Sequence, residues 1–416
     1  MDTEKASTLG SDASDGNVAT PPNGGFFAWL QVAGAFFFLF NTSGIVNSFG
    51  VFQTYYEGKL SQGSSAISWI GSVQGFLMLF VGVLTGPLFD AGFFRVLSGA
   101  GLLLVVVGLM MTSLTKEYWQ VFLAQGICIG LGGACLFVPG VAICSTYFST
   151  KRSLAIGVTA SGSSIGAVVY SIAFYRLVQS VGFGWSTRIL GFIALATLIF
   201  SNAVLRPRLG PATRRSLFAF SALRELSFCL LLLGILLGYM GAYVPYYYIS
   251  LYASARTGMD EELAFYMIAV INAASALGRI LPNLVADSVG PLNVLIPFAG
   301  ASTVLGFAWL GVQNTGGLIV FSILYGFVTG AYVSLPPATV ASLTKDLHQI
   351  GARVGMCFMM GGIGMLIGNP IAGALVDTES GTYWKAQVYC GACLAGSTAA
   401  FVLSRATLVG WGWKKV

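Results

Sequence analysis

Residues 264–286 read AFYMIAVINAASALGRILPNLVA, a stretch with one charge in it, Arg279. As a helix rising about 1.5 Å per residue it spans the roughly 30 Å of hydrocarbon in a bilayer. A cation at that depth costs about 2.5–3.5 kcal/mol on insertion scales, so its presence points first to a ligand or ion pathway. The plainer alternative is an arginine that packs structurally or reaches a headgroup. Asp287 marks the expected membrane edge about 12 Å beyond Arg279, too far for easy reach.

The rest of the chain is built the same way. Hydrophobic residues make up 56% and charged residues 9%, which rules out a soluble globule. Twelve helical spans are expected, at about 26–52, 66–89, 93–114, 119–148, 153–178, 184–205, 226–252, 262–285, 291–312, 315–343, 350–376 and 384–408. Residues 1–22 are polar, with no leader pattern, and read as a disordered tail. Lys and Arg concentrate in the loops that share a side with the two termini: Arg95, Lys151, Arg152, the run from Arg206 to Arg224, Lys345 and Arg353. That places both termini in the cytoplasm. The net charge of +6 is spread between spans rather than set in a patch, so nucleic acid is not an expected partner; the lipid bilayer is.

The chain repeats itself. Gly86-Pro-Leu-Phe-Asp90 closes span two as Asn283-Leu-Val-Ala-Asp287 closes span eight, and Pro139 matches Pro336. Arg152 with Gly157, Gly162 and Gly166 is echoed by Arg353 with Gly355, Gly361 and Gly364. The expected fold is therefore an all-α membrane protein of two parallel-repeat six-helix bundles, residues 23–205 and 226–416, joined by a cytoplasmic linker at 206–225. In such a repeat a ligand is held near the midplane between bundles. Asp90 and Asp287 are expected to pair with Arg152 and Arg353 as a latch on the cytoplasmic side.

Other candidates follow from spacing. Asn272 and Ser275 precede Arg279 by seven and four residues, on one helix stripe. Tyr239, Tyr243 and Tyr247 recur every four residues near Pro245, which interrupts their helix. Tyr239 and Tyr243 are expected in a wet, aromatic-walled cavity, and Tyr246–Tyr252 in an interfacial belt. The seven cysteines lie in apolar spans and the single histidine, His348, in a loop. With no nucleophile–base constellation or metal cluster, neither an enzyme nor a cofactor is expected.

Several motifs resemble the monocarboxylate porter family of the major facilitator superfamily, in its fungal branch. They are Asn23-Gly-Gly-Phe-Phe-Ala-Trp29, Tyr147-Phe-Ser-Thr-Lys-Arg-Ser-Leu-Ala-Ile-Gly157, Ser161-Gly-Ser-Ser-Ile-Gly166, Gly278-Arg-Ile-Leu-Pro-Asn-Leu-Val-Ala-Asp287 and Gly368-Asn-Pro-Ile-Ala-Gly-Ala-Leu375. The resemblance implies the major facilitator fold and an alternating-access carrier of a monocarboxylate or other small organic anion. It makes Arg279 the anion-binding arginine. The family's aspartate one turn earlier is Ser275 here, and its first-span lysine corresponds to Asn47, so proton coupling is left open. The alternatives are an efflux carrier for an acidic or aromatic secondary metabolite and, more remotely, a non-transporting sensor. The expected membrane is the plasma membrane, with the vacuolar membrane as the alternative.

Overall fold

A computed structural model of the protein describes residues 22–148, 152–208, 219–344, 349–377, 381–410, 412, 414 and 415. Most of the expected N-terminal tail and the middle of the expected linker lie outside the described residues.

Among the described residues the architecture is helical throughout, without strands. The first crossing is a broken rod: α1 (Phe26–Asn41), α2 (Ser43–Asn47) and α3 (Phe49–Glu57). There follow α4 (Ser64–Asp90), α5 (Phe94–Thr112), α6 (Tyr118–Val121), a π-helical stretch (Phe122–Ile129) and α7 (Gly130–Tyr147). The first half closes with α8 (Arg152–Val204). The second half comprises α9 (Leu226–Ala242), α10 (Val244–Arg256), α11 (Glu261–Val289), α12 (Pro291–Ala308), α13 (Thr315–Ser334), α14 (Pro336–Leu343), α15 (Ile350–Leu375) and α16 (Trp384–Val409). Ten helical rods are long and apolar enough to cross a membrane. One of them, α8, holds two crossings, and the broken first rod supplies the twelfth.

The double crossing in α8 turns on one residue. Gly182 sits at φ 75°, ψ 169°, a conformation open to glycine because it lacks a Cβ. Before it, a Cβ at Gly162 would meet Phe36 and one at Gly166 would meet Phe40, while Tyr170 donates to Asn41. After it, Ser201 donates to the carbonyl of Gly34, and Asn41 donates to Thr197. The two arms therefore run along α1 in opposite directions.

Proline acts unequally in the repeat. Pro139 lies inside the continuous α7, whereas Pro336 starts α14 after a break at Leu335. Pro245 likewise opens α10 after the break at Tyr243, because it has no N–H for the carbonyl one turn back. The first crossing of the chain is interrupted at Thr42 and Ser48, and the first crossing after the linker at Tyr243. Interruptions at matching places in two repeats are the best structural pointer to a binding region.

Small residues let the rods approach. A Cβ at Gly278 would fall 1.9 Å from the carbonyl oxygen of Phe327, so α11 and α13 touch backbone to backbone. Gly278→Ala is expected to force them apart at about 1–3 kcal/mol, lowering the thermal midpoint of the detergent-purified protein. Gly99→Ala, where a Cβ meets nothing within 4 Å, is the control and should leave it unchanged.

Candidate functional site

The two halves meet along a seam formed by α3 with α10, α4 with α15, and α8 with α11. The linker end of the bundle is the end where α8 stops and α9 starts. At the opposite, far end the seam is sealed. Ser65 donates to the carbonyl of Pro370 at 2.8 Å, Ser68 shares a hydrogen bond with Tyr248, and Phe49 packs on Tyr247 with ring centroids 5.1 Å apart. Arg176 of α8 pairs with Glu262 of α11 at 2.5 Å and lies over the Tyr266 ring. Both partners of that pair are about half exposed, so it contributes little by itself. Toward the linker end, Phe137 meets Phe358 at 5.3 Å and Gly355 faces Val83.

Arg279 sits on this seam, 6% exposed. Its Nε donates to Ser275 Oγ at 3.4 Å, a long bond. Among the described residues its two terminal nitrogens have no hydrogen-bond partner and no carboxylate pairs with it. The backbone beside it is fixed from both sides. Asn283 donates to the Arg279 carbonyl at 2.7 Å, and that carbonyl faces Gly157 of α8. Tyr239 and Tyr243 stand within electrostatic reach of the guanidinium, their rings 5.7 Å apart. A planar fork with two free donors, held in a low-dielectric seam beside phenol rings, suits a carboxylate or another planar oxyanion.

Asn272 extends the stripe toward the far end. Its Nδ2 donates to the carbonyl of Ile268 at 2.9 Å and reaches the carbonyl of Asn47 across the seam at 3.4 Å. The Asn47 side chain is buried with both amide atoms unpartnered, and Asn272 Oδ1 is unpartnered too. Asn272 and Asn47 thus meet across the seam and Arg279 lies on it, while Ser275 bonds the guanidinium and Tyr239 and Tyr243 stand near it on the second-half side.

Two expectations about the tyrosines need correction. The face that begins with Tyr239 and Tyr243 continues to Tyr246, at 5.6 Å, rather than to Tyr247. The break at Tyr243 restarts the helix and shifts its register, turning Tyr247 toward α3 and α4. Nor do Tyr246–Tyr252 form an outward belt: Tyr246, Tyr247, Tyr248 and Tyr252 are all buried within the protein. Their polar ends are directed inward instead, as when Tyr246 bonds Thr329 at 3.0 Å and Tyr252 donates to the carbonyl of Val312.

Of the four residues of the expected latch, Arg353 has its partner in the described residues. Arg353 forms a bidentate pair with Glu225, at 2.9 and 2.5 Å, and lies over the Phe228 ring. Its fork is therefore engaged with Glu225 inside the second half, between α15 and the start of α9. The sequence boundaries put Glu225 at the end of the linker, although an acid directly before an apolar run is favourably placed at a helix start. Asp90 ends α4, and the carbonyl of Asp287 accepts a hydrogen bond from Lys415 at 2.6 Å. Arg152 begins α8, but its side chain lies outside the described residues.

Two six-helix bundles with a buried, ligand-ready seam between them define a membrane transporter rather than an enzyme. The family model described as Major Facilitator Superfamily matches residues 30–327, and the chain belongs to that superfamily. Similar proteins include the MFS-type transporter dbaD of Emericella nidulans, 46% identical over 87% of this chain and 82% of that one. The MFS transporter asaE of Aspergillus flavus is 38% identical over 95% of this chain and 90% of its own. The aspyridones efflux protein apdF of Emericella nidulans is 38% identical over 91% of this chain and 78% of its own. Among solved structures, the nucleoside transporter NupG shares the fold with a TM-score of 0.67, covering 91% of this chain and all of that one at 13% identity.

Proposed function

We propose that this transporter exports a small acidic organic metabolite, and that Arg279 grips its anionic group. The observation that carries this reading is the buried Arg279 fork, whose terminal nitrogens are unpaired and which no carboxylate neutralises among the described residues. A charge so placed is costly unless something brings the countercharge, and a passing anion is that partner. Export is favoured by the relative named for aspyridones efflux, and the tyrosine wall would suit a ligand with a flat, unsaturated body. The bias of Lys and Arg toward the loops on the side of the termini favours a cytoplasmic position for both, and the plasma membrane is our reading for the carrier, with the vacuolar membrane as the alternative. The monocarboxylate-porter branch is the second reading, favoured by the match of Arg279 to that family's anion-binding arginine.

Profiling metabolites inside and outside cells with and without the protein tests direction and substrate together. An acidic compound trapped inside on deletion, and released on restoring the gene, is the expected result. A neutral compound, or one that builds up outside on deletion, would count against the reading.

Coupling is a separate expectation. Asn47 and Ser275 cannot titrate where the resembling family has a lysine and an aspartate. Transport in proteoliposomes should therefore depend only weakly on an imposed pH gradient, once protonation of the substrate itself is held constant. Strong uphill accumulation driven by the gradient alone would contradict this.

A further inference from the structure

At the far-end seal lies a set of buried polar groups that the anion reading does not use. Ser72 on α4, Tyr247 on α10 and Asn369 on α15 come from three rods and both halves. Ser72 and Asn369 are fully buried and Tyr247 is 1% exposed. The Ser72 Oγ, the Tyr247 hydroxyl and both amide atoms of Asn369 have no hydrogen-bond partner. They nonetheless converge. A Cβ at Gly71 would lie 2.6 Å from the Tyr247 hydroxyl, and Ser72 and Asn369 lie near enough to that hydroxyl for weak polar contact, short of a full hydrogen bond.

Leaving such groups unpaired costs about 1–3 kcal/mol each, and apolar replacements of similar size would avoid it. Tyr248, the next residue, shows that pairing is attainable here: its hydroxyl meets Ser68 and donates to the Asn369 carbonyl at 3.1 Å. Pairing is therefore attainable beside the Ser72–Tyr247–Asn369 set, which lacks it as Asn47 and Asn272 Oδ1 do.

We propose that Ser72, Tyr247 and Asn369 form an uncharged subsite that hydrogen-bonds hydroxyl or carbonyl oxygens of the transported compound. Two hydroxyls and an amide offer donors and acceptors but no charge, which matches neutral oxygens and leaves the anion to Arg279. Tyr243, within electrostatic reach of both Arg279 and Tyr247, stands between the two groups. The substrate class narrows accordingly to oxygenated organic acids, a refinement that rests on the anion reading of Arg279. Sites that hydrogen-bond a hydroxyl discriminate against the analogue lacking it, because their own groups are then left unpaired.

Four probes separate the ideas: benzoate, 4-hydroxybenzoate and the methyl ester of each, with affinities measured on the full-length protein in proteoliposomes. The wild type should prefer each hydroxylated probe by about tenfold, the worth of one good hydrogen bond. Tyr247→Phe and Asn369→Leu should each cut that preference to less than about threefold by weakening only the hydroxylated probes, and Ser72→Ala gives a third, milder variant. Loss of both benzoates in parallel, or no change in either, would overturn the subsite and make these residues structural. Arg279→Gln should weaken the two acids and leave the ester preference intact. If Arg279→Gln spares the acids while Asn369→Leu still removes the hydroxyl preference, the anion reading fails and the subsite stands.

Discussion

Arg279→Gln is expected to abolish transport while leaving the protein folded and delivered to the membrane. The substitution removes a buried charge instead of creating one, so the seam loses a desolvation burden and no protein partner is orphaned. Only the long bond to Ser275 disappears. Arg279→Lys should retain partial function, since a compact ammonium keeps the charge but cannot present two parallel donors. Uptake or efflux assays with surface quantification of each variant decide the matter. Loss of both variants from the membrane would mean that the arginine supports the fold. A neutral ester of the transported acid should compete poorly against wild type, and equal competition by acid and ester would remove the carboxylate from the account.

The second large effect is expected at Gly50. A Cβ there would lie 2.2 Å from the Tyr246 carbonyl oxygen and 2.6 Å from the tip of Ile268, both in the opposite half. Gly50→Leu therefore collides across the seam and not within its own bundle. Each half should fold, but the far end should no longer close. At about 1–3 kcal/mol for overpacking, and 1.4 kcal/mol per factor of ten, the ratio of closed to open should fall about fivefold to a hundredfold. A carrier that cannot close one end cannot complete its cycle, so transport should fall with it. A cysteine at Ser68, introduced after replacement of the native cysteines, should react correspondingly faster with a thiol reagent applied from the far face. Normal transport with unchanged labelling would show that the seam can accommodate the larger side chain.

The readable parts of this molecule were those written in hydropathy and helical spacing. Arg279, Ser275 and Asn272 share a stripe because α11 runs unbroken past them, so counting by fours and sevens worked. The same counting failed at Tyr247, where the chain restarts after Tyr243 and the three-residue step to Tyr246 replaces the four-residue one. That shift comes from the geometry of a break, which residue identity marks only by the nearby Pro245. Glu225 was legible as a charge but not as the partner of Arg353, since a pairing across 128 positions leaves no local trace. Ser72 carries no signal in its apolar run, and Asn369 stands out only as part of the Gly368–Leu375 motif, which says nothing of its partners. Neutral side chains of their kind are commonplace in membrane helices, and only their lack of partners in three dimensions sets them apart.

The single-residue turn at Gly182 has a mechanical meaning. The arm of α8 that faces α11 across the seam is joined at Gly182, with no loop between them, to the arm that packs on α5. A displacement of the seam-facing arm is therefore passed directly to the arm against α5. The first half is thus a lever without play, and lengthening the turn by a few flexible residues would let the seam move while the rest of the bundle stayed behind.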